Sequence, residues 1–188
     1  MQDNIGIVIA MILIVSLIVI FPLYNLFERQ DNMSYTLALK ATTNFVDKVR
    51  RMGYIDEEMY TDFVSEIGVT GVSFDIVIEA HRRIFIEDIN NKGQYFEQYK
   101  IDYSEDIFKI MTDGTKDEDT ILPDDAYILN KEDEIYIRIK NISLTPAQVV
   151  LNAIIPTKHN SKITLDYGGV IINETWKKVD STLYNVTN

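Results

Sequence analysis

The chain has no cysteine, and that one absence removes disulfide frameworks, thiol catalysis, iron–sulfur clusters and cysteine-based zinc sites together. Histidine is nearly as scarce, with two residues in 188. His81 adjoins Arg82 and Arg83 on the polar side of an expected strand, and His159 sits in an expected turn between Lys158 and Asn160. Neither has a nucleophile near it in sequence, so both read as surface residues. Basic residues are few. The 18 Lys and Arg against 29 Asp and Glu leave a net charge of -11, which opposes nucleic acid as a partner because such binding needs clustered cations. GxSxG, HExxH, P-loop and strand-turn GxGxxG patterns are all missing. No enzymatic activity and no cofactor are expected.

What is present is unevenly spread. Hydrophobic residues make up 46 % of the chain against 25 % charged, a globular balance with room for one or two domains. No period of 20–50 residues repeats, which excludes a solenoid. A large share of the apolar residues is gathered at one end. From Ile5 to Phe21 the chain runs seventeen residues without a charge and with Ser16 as its one polar side chain. The run holds Ile5, Ile7, Val8, Ile9, Met11, Ile12, Leu13, Ile14, Val15, Leu17, Ile18, Val19, Ile20 and Phe21. Extended to Tyr24 it is twenty residues, about 30 Å of helix and one hydrocarbon thickness. A removable signal peptide would carry a basic n-region and a small-residue cleavage site, and neither flanks this run. A helix this apolar on all sides does not suit the surface of a small soluble domain. A retained membrane-inserting helix is expected. The tail Met1-Gln2-Asp3-Asn4 has no Lys or Arg, so the positive-inside rule leaves its orientation open.

Beyond the run the pattern turns amphipathic. Ala38, Ala41, Phe45, Val49 and Met52 fall at helical spacing and are expected to pack a stem against a head. Lys48, Arg50 and Arg51 suit the negative end of the helix dipole, and Gly53 is a natural C′ residue. One near-continuous helix from Ile5 to Met52 follows, with a break or bend expected at Pro22 and Tyr24 because proline removes a backbone donor.

The remainder reads as an α+β head rich in antiparallel strands. Asp56 caps a short helix that buries Met59, Phe63, Val64 and Ile67 and ends at Gly68. Val72, Phe74, Ile76 and Ile78 alternate along a strand that continues through RRIFIED, and Asn90 to Gly93 make a turn. Tyr95 to Tyr103 fits a strand, with a helix as the other possibility. Ser104 then caps EDIFKIM. Ile135, Ile137 and Ile139 alternate in a strand over Glu134 to Asn141, and Thr145-Pro146 opens a helix through AQVVLNAI. A strand at SKITLDYG, a turn at Gly168-Gly169 and a strand at VIINETW complete the head. The organisation is thus a helix and stem over 1–52, a head over 53–180, and a polar tail over 181–188.

Two weak site signals remain. Asp113, Asp117 and Asp119 lie in an acidic loop that can gather oxygens for calcium, although the spacing is not that of an EF-hand, so a solvated loop is the ordinary reading. Asn32, Asn141, Asn173 and Asn185 each begin an N-x-Ser/Thr sequon.

The helix and the segment Ile20-Phe21-Pro22-Leu23-Tyr24 resemble a type IV pilin, whose mature N-terminus carries an apolar-Pro-x-Tyr signature at this position. The resemblance implies that Met1 is the mature terminus left by a prepilin peptidase. It also implies that Pro22 loosens the helix when subunits pack. Ile5 stands where the family keeps a glutamate, so Asp3 is the acid left to neutralise the N-terminus of a neighbour. The blocks ATTNFVDKVRRMGYIDEEMYTDF, VTGVSFDIVIEAHRR, KNISLTPAQVVLNAI and YGGVIINE are similar to a family of membrane-anchored proteins encoded beside Tad-type pilus genes in low-GC Gram-positive bacteria. Both resemblances imply a structural subunit of an extracellular Tad-type filament, homopolymeric and helical. It would be inserted in the cytoplasmic membrane before assembly and handled by pilus assembly machinery. A single-pass anchored pseudopilin or adaptor is the alternative, and an anchored domain whose acidic head senses a ligand or cation is a third.

Overall fold

The computed structural model describes residues 2–89, 92–113, 125–155 and 163–172. A single helix, α1 (Gln2–Met52), runs through 51 residues, about 76 Å at 1.5 Å per residue. It does not break at Pro22 or Tyr24. Proline forfeits one intrahelical bond, and the helix formers on both sides carry the helix past it. Gly53 ends α1 as expected, with φ 77° and its amide donating to the Val49 carbonyl at 2.7 Å.

The head follows as β1 (Tyr54–Ile55), α2 (Glu57–Gly68), β2 (Phe74–Glu87), β3 (Tyr95–Tyr103), α3 (Ser104–Asp113), β4 (Tyr127–Ile128), β5 (Glu134–Asn141), α4 (Pro146–Ile154) and β6 (Thr164–Val170). The class is α+β, as the sequence pattern predicts. Four strands form one antiparallel sheet in the order β3-β2-β5-β6, and β1 pairs with β4 in a second, two-stranded sheet.

The second half of α1 is the backbone of the core. Ala38, Ala41, Phe45, Val46 and Val49 are buried against Ile78 of β2, Ile135, Ile137 and Ile139 of β5 and Leu165 of β6. The alanines keep the helix close to its neighbours, and Phe45 stacks on Phe63 of α2 at 4.5 Å between ring centres. Met52 is 39 % exposed and does not join them, because α1 ends there and the chain turns away at Gly53. Val64 is likewise 40 % exposed. Helix α2 buries Met59, Phe63 and Ile67, and Tyr60 rather than Val64 flanks that stripe, packing on Phe108 at 4.7 Å.

Local capping explains two boundaries. The Met59 amide donates to Asp56 Oδ1 at 2.7 Å, starting α2. Thr145 and Gln148 form a reciprocal capping box ahead of Pro146, starting α4. Ser104 behaves differently from expectation. Its hydroxyl accepts from the Ile78 amide at 2.7 Å and so continues the β2 ladder where β3 stops, instead of capping α3.

Gly168 and Gly169 are not a turn. Both lie inside β6, opposite Tyr136 and Ile135. They serve close approach on the two faces of the sheet. A Cβ on Gly168 would sit 2.5 Å from the Ile135 carbonyl and against the Tyr136 ring. A Cβ on Gly169 would sit 2.7 Å from Arg50 Nε, which donates to the Val170 carbonyl at 3.0 Å and ties the end of the stem to β6. Gly168→Ala is therefore expected to cost about 1–3 kcal/mol, as overpacking does, and to lower the melting temperature by several degrees. Gly6→Ala, with nothing within 4 Å, should leave the melting temperature unchanged or raised when both are followed by circular dichroism.

Candidate assembly surfaces

Among the described residues the apolar half of α1 has no packing partner. Residues Ile5 to Phe21, Ile20 and Ser16 apart, include large side chains exposed by between 53 % and 67 %, and none of the most apolar eighteen-residue stretch is buried. A core helix of a soluble domain would be covered, so that reading fails. By length and composition α1 can cross a membrane. Met1 lies outside the described residues; Asp3 lies within the helix.

Where α1 leaves the apolar run it meets α4. Tyr24, Glu28, Asp31 and Tyr35 line one wall of a groove of about 450 Å³, and Thr145, Gln148 and Leu151 line the other. Thr145 donates its hydroxyl to Asp31, placing a stem carboxylate at the N-terminus of α4, where the helix dipole favours it. Burial pushes the Asp31 carboxyl above its ordinary range; the Thr145 hydroxyl and Ala147 amide oppose the rise and Glu28 adds to it. A carboxyl raised in the folded state contributes stability below its unfolded value and loses it as pH climbs through the folded value; that contribution comes from burial, while the Thr145 and Ala147 bonds favour the charged form.

The second surface is a ribbon that sequence reading did not single out. β2 pairs with β5 only from Phe74 to His81, yet with β3 from Glu79 to Glu87. The outer part of β2 and most of β3 therefore form a two-stranded arm beyond the four-stranded body. β6 runs beside α1, with Thr164 in the groove near Tyr35 and Val170 bonded to Arg50, so the arm extends past the far end of the stem. It carries Phe85, Tyr95, Phe96 and Tyr99, each at least 49 % exposed, with Ile101 and Tyr103 at its base. The alternation of aromatic and polar residues in β3 was the available signal, and it marks a surface rather than a core.

The remaining polar features do not converge on one site among the described residues. Asp113 ends α3, and Asp117 and Asp119 lie outside the described residues. Asp125 instead joins Asp56, Glu57, Glu58 and Asp62 around a shallow acidic cleft, and among the described residues no three metal-ligating side chains converge. His81 lies 5.0 Å from the Tyr136 ring and 3.7 Å from Glu79, beside no nucleophile. His159 lies outside the described residues. Asn32 is exposed on α1 while Ser34 of its sequon is buried. Asn141 is buried, its Nδ2 donating to the Ser143 carbonyl at 3.0 Å and its Oδ1 accepting from Ile163, so the folded chain does not offer it for glycosylation. Asn173 and Asn185 lie outside the described residues.

No protein-family model, curated protein or solved structure matches this chain.

Proposed function

We propose that this chain is a membrane-inserted structural subunit that polymerises through the apolar half of α1 into a type IV-like filament of the Tad kind, with the acidic head outward. One observation carries the reading. A single helix is bare and free of charge from Ile5 to Phe21 and is the core of a folded head over its second half. Such a helix transmits the position of the head to its apolar end as one rigid body. Covering the run removes on the order of 1,500 Å² of apolar surface, tens of kcal/mol at ~25 cal/mol per Å² before ordering costs. Extraction from lipid is feasible only where copies of the same helix replace the lipid. The resemblance to type IV pilins at Pro22-Leu23-Tyr24 supports the same reading.

A single-pass anchored adaptor is the second reading, and Ile5 favours it, since the glutamate that pilins use to neutralise a neighbour is not at that position. Electron microscopy of material sheared from producing cells, with mass spectrometry of the fibres, separates the two. Thin fibres made mainly of this chain are expected. Retention of all the chain in the membrane pellet, with fibres lacking it, would establish the adaptor.

A further inference from the structure

We propose that neighbouring heads join edge to edge, β3 of one copy pairing antiparallel with β6 of the next, so that one sheet runs from copy to copy. The inference rests on the filament reading and specifies its outer contact. Among the described residues β3 and the 164–168 stretch of β6 have no ladder on their outer side, while beyond that stretch the Val170 carbonyl and the Ile172 amide are already bonded to Arg50 of α1. Asp88 donates its amide to the Gln94 carbonyl, which makes the even-numbered pairs of β2 and β3 the hydrogen-bonded ones and turns the backbone of Tyr95, Glu97, Tyr99 and Ile101 outward. On the other edge, Ile171 and Ile163 bond towards β5, which turns Thr164, Asp166 and Gly168 outward. Natural sheets guard such edges with proline, bulges, a very short strand or charged side chains, and of these only the charges are present on β3 and β6. Here β3 has nine residues and β6 seven, neither contains proline, and both registers run without a bulge.

Strand count makes the two edges complementary. With four antiparallel strands, β3 and β6 run in opposite directions. Copies whose stems all point the same way therefore bring an antiparallel pair together. The parity also agrees: outward-turned residues on both edges carry their side chains on the face away from α1, so pairing keeps every stem on one side of the sheet. A three-stranded sheet would fail this test. The alternative, β3 against its own copy, needs a two-fold axis perpendicular to the sheet and hence to α1 packed on it, which would point the two membrane helices in opposite directions. A head-to-tail contact instead propagates without closing, as a helical filament requires.

Charge permits the approach. The chain carries a net charge of -11, but each carboxylate on these edges has a cation: Glu97 with Arg83 at 3.4 Å, Asp102 with Arg82 at 2.6 Å and Lys100 at 3.1 Å, and Asp166 with Arg138 at 2.7 Å. Edge strips whose carboxylates are paired, although Arg83 is shared with Glu132 and Arg138 with Glu79, are where two acidic heads meet with less repulsion.

Register then fixes a stagger. The centre of β3, Tyr99, lies opposite Arg83, whereas the centre of β6, Tyr167, lies level with Ile78 through Ile137. The five-residue difference along β2 is about 17 Å at ~3.4 Å per residue, directed along the stem. A bilayer holds all anchors at one depth, so full pairing forms only as copies leave the membrane in steps. The same contact that bonds the filament is thereby suppressed among copies waiting in the membrane.

The absence of cysteine makes the contact directly readable. Tyr99→Cys and Asp166→Cys in one chain lie about 25 Å apart by strand spacing and rise, too far for a bridge within a copy, whose Cα atoms must lie within ~7 Å. Ile101→Cys with Asp166→Cys covers the adjacent register. After mild oxidation, non-reducing gels of sheared fibres should show a ladder of dimers, trimers and longer species from a double variant, and no ladder from either single variant. Reduced samples, melted in parallel, confirm that the heads are folded. Parent fibres with only monomers from both double variants overturn the edge contact and leave the filament reading standing, as do dimers from Tyr99→Cys alone. Should the parent chain form no fibres, the filament reading falls, and the edge contact that rests on it falls with it.

Discussion

Ile14→Arg is expected to abolish stable membrane retention and assembly while leaving the head folded. Ile14 is at the middle of the apolar run, 57 % exposed, and the buried residues of α1 begin only at Ser34, thirteen residues after Phe21. No packed contact in the head is touched. The cost falls on the environment of the run instead. Exchanging isoleucine for arginine at the centre of a spanning helix shifts insertion by about 3–4 kcal/mol, a factor of roughly 10²–10³. In a bundle of identical helices the penalty recurs in every copy, and no acid lies within the run to pair the charge. Carbonate extraction followed by pelleting reads insertion, and circular dichroism of the head reads folding. Ile14→Leu should match the parent in both. An arginine variant retained and assembled like the parent would remove the run from any role in membrane or filament.

How much of this was legible follows from which interactions are local. The stripe Ala38, Ala41, Phe45 and Val49 could be read because one face of a helix meets one sheet, and a 3.6-residue period records that. Thr145-Pro146 and Asp56 were legible for the same reason, since a cap is settled within four residues. Met52 and Val64 were misread because periodicity does not say where the partner surface stops. The Gly168-Gly169 pair carries a turn signal in sequence, but its cause is the Tyr136 ring on one face and the Arg50 side chain on the other, both brought there by the fold. The Asn141 sequon shows the same limit: three residues define the motif, while Ile163 and Ser143 decide that the side chain is engaged.

The candidate surfaces divide in the same way. The apolar run is a property of composition and stands out in the bare sequence. The β2–β3 arm is a property of unequal pairing: β2 is fourteen residues long and β5 only eight, so part of β2 must stand out from the body. Strand lengths read from one sequence do not show which strands are neighbours, and the open edges appear only once the order β3-β2-β5-β6 is known. A filament reading taken from the helix alone leaves the heads as passive decoration. In the filament proposed above, edge pairing of the sheets would add a second, polar set of bonds outside the apolar core, with a direction and a stagger of its own.

The arm itself is held by a buried ion cluster, and Asp102→Ala is expected to be among the most destabilising single changes in the head. Asp102 is 3 % exposed. Its Oδ2 accepts from the Tyr127 hydroxyl at 2.7 Å and lies 2.6 Å from the Arg82 guanidinium, and its Oδ1 lies 3.1 Å from Lys100. The cluster links β2 and β3 to β4, which no backbone ladder among the described residues joins to the large sheet. Removing the carboxylate strands the Arg82 charge and the buried Tyr127 hydroxyl, for which about 3–5 kcal/mol is the usual loss, or roughly 10 °C or more in melting temperature. Burial pushes the Asp102 carboxyl up, but the Tyr127 hydroxyl, Lys100 and Arg82 outweigh it and hold the group below its ordinary range. A carboxyl lowered in the folded state contributes stability above its unfolded value, near pH 3.9, and that stability disappears as pH falls through the folded value. Asp102→Asn keeps the shape, cannot titrate, and should lose less than the alanine variant at pH 7. Its melting temperature should also fall less steeply than the parent's below about pH 4. An alanine variant melting within a degree or two of the parent, with an unchanged acid limb, would mean that strand pairing and the apolar contacts of Tyr127 hold the arm without the cluster.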